Sequence, residues 1–274
     1  MYVERKPGAA LRPWVRSLWY ARGMEFAHSH ERILPTGRAQ VIINLARDFV
    51  IDCQAGRPAQ AMAPALVVGQ RSAYEIIDTS DMADLIGIVF EPGTLPVFLA
   101  DAADRVTNGY VALGDVCPGS GALRDRLREV RGAEARLRCL EAFLRERIAV
   151  RVNGRRGAMH PAVRYALSEL APRPDVARVA EVARSTGWSE RRFGQIFREE
   201  VGFAPKVWCR IQRFQRVVRQ LHAGDAVEWA ELAVECGFYD QAHLANEFRA
   251  FAGVSPTKYA TAEGRVWANH LRVE

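Results

Sequence analysis

Polar side chains recur at helical spacing in two separate stretches near the carboxyl end of the sequence. In the first stretch Arg191, Gln195 and Arg198 fall on one side of a helix that turns about 100° per residue, opposite a side made of apolar residues. An arginine donates two hydrogen bonds to a guanine edge, and a glutamine pairs in the same bidentate way with an adenine edge. The chemistry available here is therefore hydrogen bonding to the edges of base pairs.

The elements that must position these side chains form an internal repeat. The stretch "VAEVARSTGW" at 179–188 is echoed by "WAELAVECGF" at 229–238, and the inserted residue Tyr239 then changes the offset between the copies from 50 to 51. Each copy predicts a short helix, a glycine turn, an N-cap at Ser189 or Asp240, and a second helix closed by Gly and Pro. This pattern is a helix-turn-helix.

The second helix of each copy predicts a reading face. In the first copy the expected DNA contacts are Arg191, Arg192, Gly194, Gln195 and Arg198, and in the second copy they are Gln241, Ala242, His243, Asn246 and Arg249. Glycine inside a helix costs about 1 kcal/mol and is favoured where backbone approaches a partner closely. Because the second face is less basic, we expect the first copy to supply more base readout and the second more phosphate contact. His243 either donates to phosphate or caps local packing.

The segment between the copies, "KVWCRIQRFQRVVRQ" at 206–220, carries basic residues and no acidic one. The connecting segment from Pro205 to His222 predicts a helix about 25 Å long. Such a helix would let the two reading helices reach neighbouring major grooves, which lie about 34 Å apart on one face of DNA. We expect Lys206 and Arg210 to contact phosphate.

Other residues with possible chemistry are less organised. His28 and His30 have the His-x-His spacing of a metal site, but Leu34 and Pro35 stand where a further acidic ligand is expected, so we predict no metal. The cysteines form no CxxC pair and are predicted to be isolated reduced thiols: Cys53, Cys117, Cys139, Cys209 and Cys236. No catalytic triad, phosphate-binding glycine loop or paired carboxylate motif is evident, so we expect neither catalysis nor a cofactor.

The chain as a whole predicts an α+β multidomain protein. Short runs rich in Val and Ile, separated by Gly, Pro, Asp and Ser, predict a β-barrel or sandwich with strands at 39–45, 49–53, 65–69, 74–78 and 85–90. Helical periodicity then predicts two amphipathic helices, packed on the barrel or on a second copy of the chain. The predicted boundaries are a β-rich domain at 1–120, a helical linker or dimerisation segment at 121–150, a linker at 151–158, an all-α DNA-binding domain with two helix-turn-helix motifs at 159–264 and a tail at 265–274.

Composition is that of an ordinary soluble domain protein, with 49% hydrophobic and 26% charged residues. The net charge of +6 is compatible with an anionic partner and equally common in proteins that bind none. The sequence has no apolar run long enough for a membrane span and no signal-like start, so we expect a cytoplasmic protein with no membrane partner.

The two repeats, "VAEVARSTGWSERRFGQIFREEVGFAPKVW" and "WAELAVECGFYDQAHLANEFRAFAGVSPTKY", resemble the AraC/XylS transcriptional regulators over about 162–259. The resemblance implies double-stranded promoter DNA as partner, with RNA polymerase and a second copy of the chain as further partners. It implies DNA contacts at Arg191, Gly194 and Gln195 in the first motif and at Gln241, Ala242, His243 and Asn246 in the second. Gly194 and Ala242 depart from the pattern because they offer no side-chain hydrogen bond.

The stretches "LRPWVRSLWY", "RILPTGRAQVIINL" and "GIVFEPGTLPVFL" are similar to effector domains of this family, which implies a cupin-like barrel that binds an unknown small molecule. Trp14, Trp19, Tyr20 and Phe90 are candidate pocket residues, with core packing as the alternative. We interpret the chain as a transcriptional regulator, either activator or repressor, that responds to a small molecule. The alternatives are a cupin-type metal-dependent enzyme and a DNA-repair alkyl transferase with the same type of DNA-binding domain.

Overall fold

The amino-terminal part of the chain is built mainly from β-strands. The computed structural model describes residues 1–52, 60–99, 101–153, 158–224, 227–262 and 267–273. The strands within these ranges are β1 (Tyr2–Arg5), β2 (Val15–Arg22), β3 (His30–Ile33), β4 (Gln40–Asn44), β5 (Val50–Asp52), β6 (Gln60–Met62), β7 (Ala65–Val68), β8 (Glu75–Asp78), β9 (Asp84–Phe90), β10 (Tyr110–Ala112) and β11 (His270–Arg272).

These strands form two antiparallel sheets that face each other across a cavity. The first sheet has the order β1-β2-β9-β4-β7-β10, and the second has the order β11-β3-β8-β5-β6. The predicted strands at 39–45, 49–53, 65–69, 74–78 and 85–90 are confirmed as β4, β5, β7, β8 and β9. Cys53, at the end of the second run, lies outside the described residues. The sheets do not close, so the predicted barrel or sandwich is a two-sheet sandwich.

The first sheet is covered on both faces, which explains why its strands are so apolar. Along β2, Leu18 and Tyr20 belong to a core shared with helices, whereas Trp19 between them lines the cavity. Ile42 of β4 lines the cavity in the same way, and its neighbour Val41 packs on the helices. Successive side chains of a strand point to opposite faces, so this alternation separates a cavity face from a helix face.

Helices cover the first sheet and make up the carboxyl-terminal part. They are α1 (Leu95–Leu99), α2 (Leu113–Val116), α3 (Ser120–Glu129), α4 (Ala133–Asn153), α5 (Pro161–Leu170), α6 (Val179–Ser185), α7 (Glu190–Val201), α8 (Pro205–Ala223), α9 (Trp229–Glu235), α10 (Gln241–Ala252) and α11 (Pro256–Thr261). Short 3-10 turns lie at Thr79–Ala83, Ala103–Val106 and Val176–Arg178.

Helices α3 and α4 pack on the first sheet of their own chain. Leu137, Leu140 and Leu144 of α4 are completely buried in the core that contains the helix face of that sheet. The nearby Arg136 is also buried, and its guanidinium donates to the Tyr20 hydroxyl and, at 3.0 Å, to Asp84 Oδ1. The amphipathic face predicted for this segment is therefore satisfied within the chain.

The predicted boundaries of the linker and tail need correction. Helix α4 continues to Asn153, inside the predicted linker, and residues 154–157 lie outside the described part. The predicted tail is not a free end, because β11 pairs antiparallel with β3. The carboxyl end of the chain thus completes a sheet of the amino-terminal domain.

Both repeats share one hydrophobic core. Phe193 and Phe197 of α7, Phe214 of α8, and Phe248 and Phe251 of α10 are all buried in it. Leu34 from the amino-terminal domain and Leu271 from β11 are buried in the same core. The helical domain is therefore joined to the sheets through apolar packing.

Candidate DNA-binding surface

The first helix-turn-helix consists of α6, a turn at Gly187 and α7. Gly187 has φ of 76°, a left-handed conformation that glycine adopts without strain. The Ser189 hydroxyl accepts a hydrogen bond from the Arg192 backbone N–H, and Gly202 ends α7 in a left-handed conformation. The predicted N-cap, helix and closing glycine are confirmed.

The outer face of α7 is as predicted. Phe193, Ile196 and Phe197 are buried, whereas Arg191, Arg192, Gln195 and Arg198 are exposed. A Cβ added at Gly194 would meet no atom within 4 Å, so the backbone there is open to close approach by a partner. Polar donors and a bare stretch of backbone therefore lie together on one helix.

Some of these side chains already have partners. Arg192 Nη1 donates to Gln195 Oε1 at 3.2 Å, and Gln195 Nε2 donates to Glu199 Oε1 at 2.9 Å. The Arg192 guanidinium also lies 5.4 Å from the centre of the Trp188 ring. Within the described residues the Arg191 and Arg198 guanidinium groups make no hydrogen bond or ion pair. Arg191 is free to bind a partner, whereas Gln195 must exchange its contacts.

The second helix-turn-helix has the same build. Gly237 has φ of 84°, the Asp240 carboxylate accepts from the His243 backbone N–H at 2.7 Å, and Gly253 ends α10. Leu244 and Phe248 face the core. The exposed residues of the predicted face are Gln241, Ala242, Asn246 and Arg249.

His243 is half-buried and makes local contacts. Its ring packs edge-on against Phe238, with 5.4 Å between the ring centres, and its Nδ1 accepts from the Tyr239 backbone N–H at 3.3 Å. Two roles are predicted for His243, phosphate contact and local packing. These contacts favour local packing. The neutral ring then carries its proton on Nε2, which is still a donor.

Tyr239 is a surface residue that our list of DNA contacts omitted. Its side chain is 88% exposed at the turn before α10. The signal was the single insertion that shifts the repeat at this position. A large aromatic side chain held outside the core next to a reading helix is a further candidate contact.

The connecting helix α8 carries the two basic side chains for which phosphate contact is predicted, Lys206 and Arg210. Lys206 is exposed, as a phosphate contact requires. Arg210, however, is engaged by Glu247 of α10 through both Nε and Nη2, at 2.8 and 2.7 Å. Arg213 is buried and donates to the Gly237 carbonyl at 2.8 Å. Arg210 therefore positions α10 against α8, which argues against its predicted contact with phosphate.

Two carboxyl groups near the reading helices have shifted pKa values. The hydrogen bond from Arg210 lowers the pKa of Glu247. Burial raises the pKa of Glu200, at the end of α7, to about 7, although the His160 backbone N–H donates to it. The ion pair between Arg210 and Glu247 holds α10 against α8, and the raised pKa of Glu200 makes the end of α7 sensitive to pH.

The candidate pocket residues do not surround one cavity. A cavity of about 380 Å³ lies between the two sheets, and Trp19 lines it. Tyr20 and Phe90 are buried on the opposite face of the first sheet, and Trp14 packs partly buried against the same core. Core packing is correct for these three residues, since the alternation along β2 sends Trp19 and Tyr20 to opposite faces.

The described histidines and cysteines form no ligand cluster. His28 Nε2 lies 2.9 Å from Glu31 Oε1, and His30 Nδ1 lies 2.9 Å from Ser29 Oγ. In the part of the chain that the structure describes, no three His, Cys, Asp or Glu side chains are grouped to hold a metal ion. Burial raises the pKa of the Cys209 thiol to about 12 and that of Cys236 to about 11, which disfavours the reactive thiolate. Among the described helices, none is both long and apolar enough to cross a membrane.

Comparison with known proteins agrees with this geometry. A family described as a helix-turn-helix domain matches residues 182–262, and a domain of unknown function, DUF6597, matches residues 3–112. No curated protein matches the chain.

Two similar solved structures are ToxT from Vibrio cholerae and the carboxyl-terminal domain of AraT, a response regulator from Geobacillus stearothermophilus. The ToxT structure has 10% identity, covers 95% of this chain and 96% of its own, and gives a TM-score of 0.39. The AraT domain has 20% identity, covers 37% of this chain and 84% of its own, and gives a TM-score of 0.35.

The helix-turn-helix match and the two exposed reading helices define the class of the carboxyl-terminal domain: it is a helix-turn-helix domain, of the kind found in DNA-binding transcriptional regulators. More narrowly, this carboxyl-terminal domain is an AraC-type helix-turn-helix domain, and the amino-terminal domain matches DUF6597.

Proposed function

We propose that the chain binds double-stranded promoter DNA through α7 and α10 and regulates transcription in response to a small molecule held between the two sheets. The observation that carries the proposal is the pair of helix-turn-helix motifs with the same caps, each with an exposed polar face. Arg191 and Gln195 would read base edges from α7, and Gln241 and Asn246 from α10. Lys206 would contact phosphate.

One loop of the amino-terminal domain contacts the ends of both reading helices. This coupling loop, residues 69–74, joins β7 to β8. Gln70 Nε2 donates to the Val201 carbonyl at the end of α7, and the Tyr74 backbone N–H donates to the Phe251 carbonyl at the end of α10, each at 2.9 Å. A shift of this loop would therefore act on both helices at once.

The contact is close because each helix ends in glycine. A Cβ at Gly202 would lie 2.6 Å from Gln70 Oε1, and a Cβ at Gly253 would lie 2.3 Å from the Tyr74 ring. Thr107 Oγ1 adds a hydrogen bond of 2.8 Å to the Gly202 carbonyl. These contacts support a mechanism in which a ligand in the cavity acts through the coupling loop. The ligand would shift the populations of the positions that α7 and α10 adopt.

DNA binding is tested with fluorescence anisotropy of the full chain on genomic promoter fragments selected for binding. Arg191→Ala and Gln195→Ala are expected to weaken specific binding strongly. Arg138→Ala is the matched control, because it removes one positive charge from a side chain that is 65% exposed on α4. If wild-type protein prefers no fragment, or if the control loses as much affinity as Arg191→Ala, the proposal is wrong.

Coupling is tested with the double variant Gln70→Ala, Thr107→Val, which removes two side-chain hydrogen bonds to the end of α7. The expected result is a change in DNA affinity of about fivefold or more, the usual lower range for coupled sites. Thr79→Val is the control, because its hydroxyl donates to the His28 carbonyl within the amino-terminal domain and outside the coupling loop. Equal DNA affinity of wild type and the double variant would contradict the coupling role.

Homodimer formation and contact with RNA polymerase stay predictions.

A further inference from the structure

The cavity between the sheets is lined on one side by residues near the carboxyl end of the chain. Its walls are Trp19, Ile42 and Leu85 of the first sheet and Ile33 and Ile77 of the second, and Trp267–His270 form a third wall. Its volume of about 380 Å³ falls in the range of small-molecule sites, about 300–1,000 Å³. The cavity is therefore built jointly by the two sheets of the amino-terminal domain and by the carboxyl-terminal segment Trp267–His270.

The third wall belongs to a segment we call the C-terminal strap, residues 267–273. Its strand β11 pairs with β3, and His270 Nδ1 lies 2.7 Å from the buried carboxylate of Glu31. The Trp267 ring packs against Tyr2, with 5.1 Å between the ring centres. The Tyr259 hydroxyl of α11 donates to the Ala268 carbonyl at 2.6 Å, which connects the strap to the helical domain.

Two arginines of the lining have buried donors without a hydrogen-bond partner among the described residues, Arg38 through Nε and Arg71 through Nε and Nη2, and Arg71 is the more buried of the two. Arg71 is only 9% exposed, its Nε lies 2.9 Å from Glu75 Oε2, and its guanidinium stacks over the Tyr110 ring at 4.0 Å. Its Nη2 is buried and has no hydrogen-bond partner among the described residues. A buried donor without an acceptor costs about 1–3 kcal/mol, so a ligand that supplies an acceptor is favoured there.

The charges around this donor select the kind of acceptor. The charge of Glu75 balances that of Arg71. Arg38, the other arginine of the lining, has its charge balanced by Glu91, whose Oε2 lies 3.9 Å from Arg38 Nε without forming a hydrogen bond. A carboxylate ligand would bring an unbalanced negative charge into an apolar space next to Glu75, which is costly. A neutral carbonyl oxygen accepts the hydrogen bond without that cost.

We infer that the cavity binds a small, neutral, mostly apolar molecule whose carbonyl oxygen accepts a hydrogen bond from Arg71, with the C-terminal strap as one wall of the site. This inference rests on the proposed effector function and names the chemical class of the effector. Arg71 is part of the coupling loop, next to Gln70, which holds the end of α7. The ligand would thus touch the loop that contacts both reading helices.

Three probes of one shape test the inference in the full chain by titration calorimetry at neutral pH: benzylacetone, a neutral ketone; hydrocinnamate, the matching carboxylate; and isopentylbenzene, the matching hydrocarbon. Benzylacetone is expected to bind wild-type protein more tightly than hydrocinnamate does. In the double variant Arg71→Met, Glu75→Gln, benzylacetone should bind about tenfold more weakly and isopentylbenzene equally well.

The double variant removes both charges together and keeps an acceptor for the Tyr110 hydroxyl, which now donates to Glu75 Oε2 at 2.6 Å. Its thermal unfolding should match that of wild type. A second variant, Trp267→Ala, leaves the Arg71–Glu75 pair in place and should weaken both benzylacetone and isopentylbenzene. Tighter binding of hydrocinnamate, equal ketone binding in the double variant, no effect of Trp267→Ala or no binding of benzylacetone would each overturn the inference.

DNA affinity is measured on the same preparations without any probe. Specific DNA binding without ketone binding would overturn this inference and leave the proposed DNA-binding function intact. Ketone binding without specific DNA binding would support this inference and contradict the proposed DNA-binding function.

Discussion

The two helix-turn-helix motifs have nearly the same framework and different outer faces. Ser189 and Asp240 are equivalent N-caps, and Gly202 and Gly253 are equivalent left-handed ends. On the outer faces, by contrast, Arg191 is replaced by Ala242 at the equivalent position. The repeat preserves what holds a reading helix, and it varies what the helix presents.

The difference lies at particular positions. Gln195 and Asn246 are equivalent and both carry a carboxamide, whereas Arg192 corresponds to His243, whose ring packs on Phe238. The predicted face of the first helix therefore carries more arginine side chains than that of the second. Because base readout by arginine is stronger than any contact alanine can make, the two copies should contribute unequally to DNA binding.

The largest expected effects concern the shared framework. Phe197→Ala and Phe248→Ala truncate equivalent side chains that are buried in the same core, at 0% and 1% exposed. Each should lower the free energy of unfolding by about 3–5 kcal/mol, since a large apolar side chain is lost and a cavity remains. Urea unfolding of the full chain measures this. A large effect from one substitution with almost none from the other would show that the two frameworks are not equivalent.

The next largest effects concern the outer faces. Arg191→Ala should reduce specific DNA affinity by about 1–3 kcal/mol and relax base preference at one position. Asn246→Ala should reduce affinity by less, because a neutral carboxamide has fewer donors than a guanidinium and no charge. Anisotropy titrations on the selected promoter fragment give both values.

The matched control for both variants is Arg138→Ala. If Asn246→Ala costs as much affinity as Arg191→Ala, or more, the unequal division of base readout between the copies is wrong.

The framework could be predicted from the sequence because it depends on local rules. The caps at Ser189 and Asp240, the glycine turns and the apolar positions of α7 and α10 all follow from periodicity and capping within a dozen or so residues. The five predicted strands were found for the same reason, since alternating apolar runs between turn residues are local signals.

Contacts between distant residues could not be predicted in this way. The pairing of β11 with β3 joins residues about 240 positions apart, and nothing in the short run from His270 to Arg272 indicates its partner strand. The capture of Arg210 by Glu247 likewise depends on how α8 crosses α10. The error at Tyr20 was different, because alternation along a strand already separates it from Trp19.

A smaller effect, on the salt dependence of DNA binding, distinguishes two basic residues of α8, the helix that connects the two copies. Lys206→Ala should weaken DNA binding about equally for all sequences and reduce the dependence of log affinity on log salt by about 1. Arg210→Ala should leave that dependence unchanged, because the guanidinium is already bound to Glu247. Titrations over a range of salt concentrations separate the two, and a changed slope for Arg210→Ala would restore Arg210 as a phosphate contact.

The smallest expected effect is a pH dependence near neutrality that rests on Glu200 of the first copy; the equivalent residue of the second copy is Phe251, which does not titrate. Burial raises the pKa of Glu200 from 4.5 to about 7, so between these values the folded state binds more protons than the unfolded state. The contribution of Glu200 to stability is thus fully present below pH 4.5 and is lost as the pH rises through about 7. Glu200→Gln should therefore raise the free energy of unfolding relative to wild type above pH 7, by about 1 kcal/mol after allowance for partial exposure, and not below pH 4.5.

Thermal or urea unfolding of both proteins across this pH range measures the difference, and Glu199→Gln in the same helix is the control. A constant difference between wild type and Glu200→Gln at all pH values would show that this carboxyl does not titrate with folding, and the two copies would then differ in their outer faces and not in their response to pH.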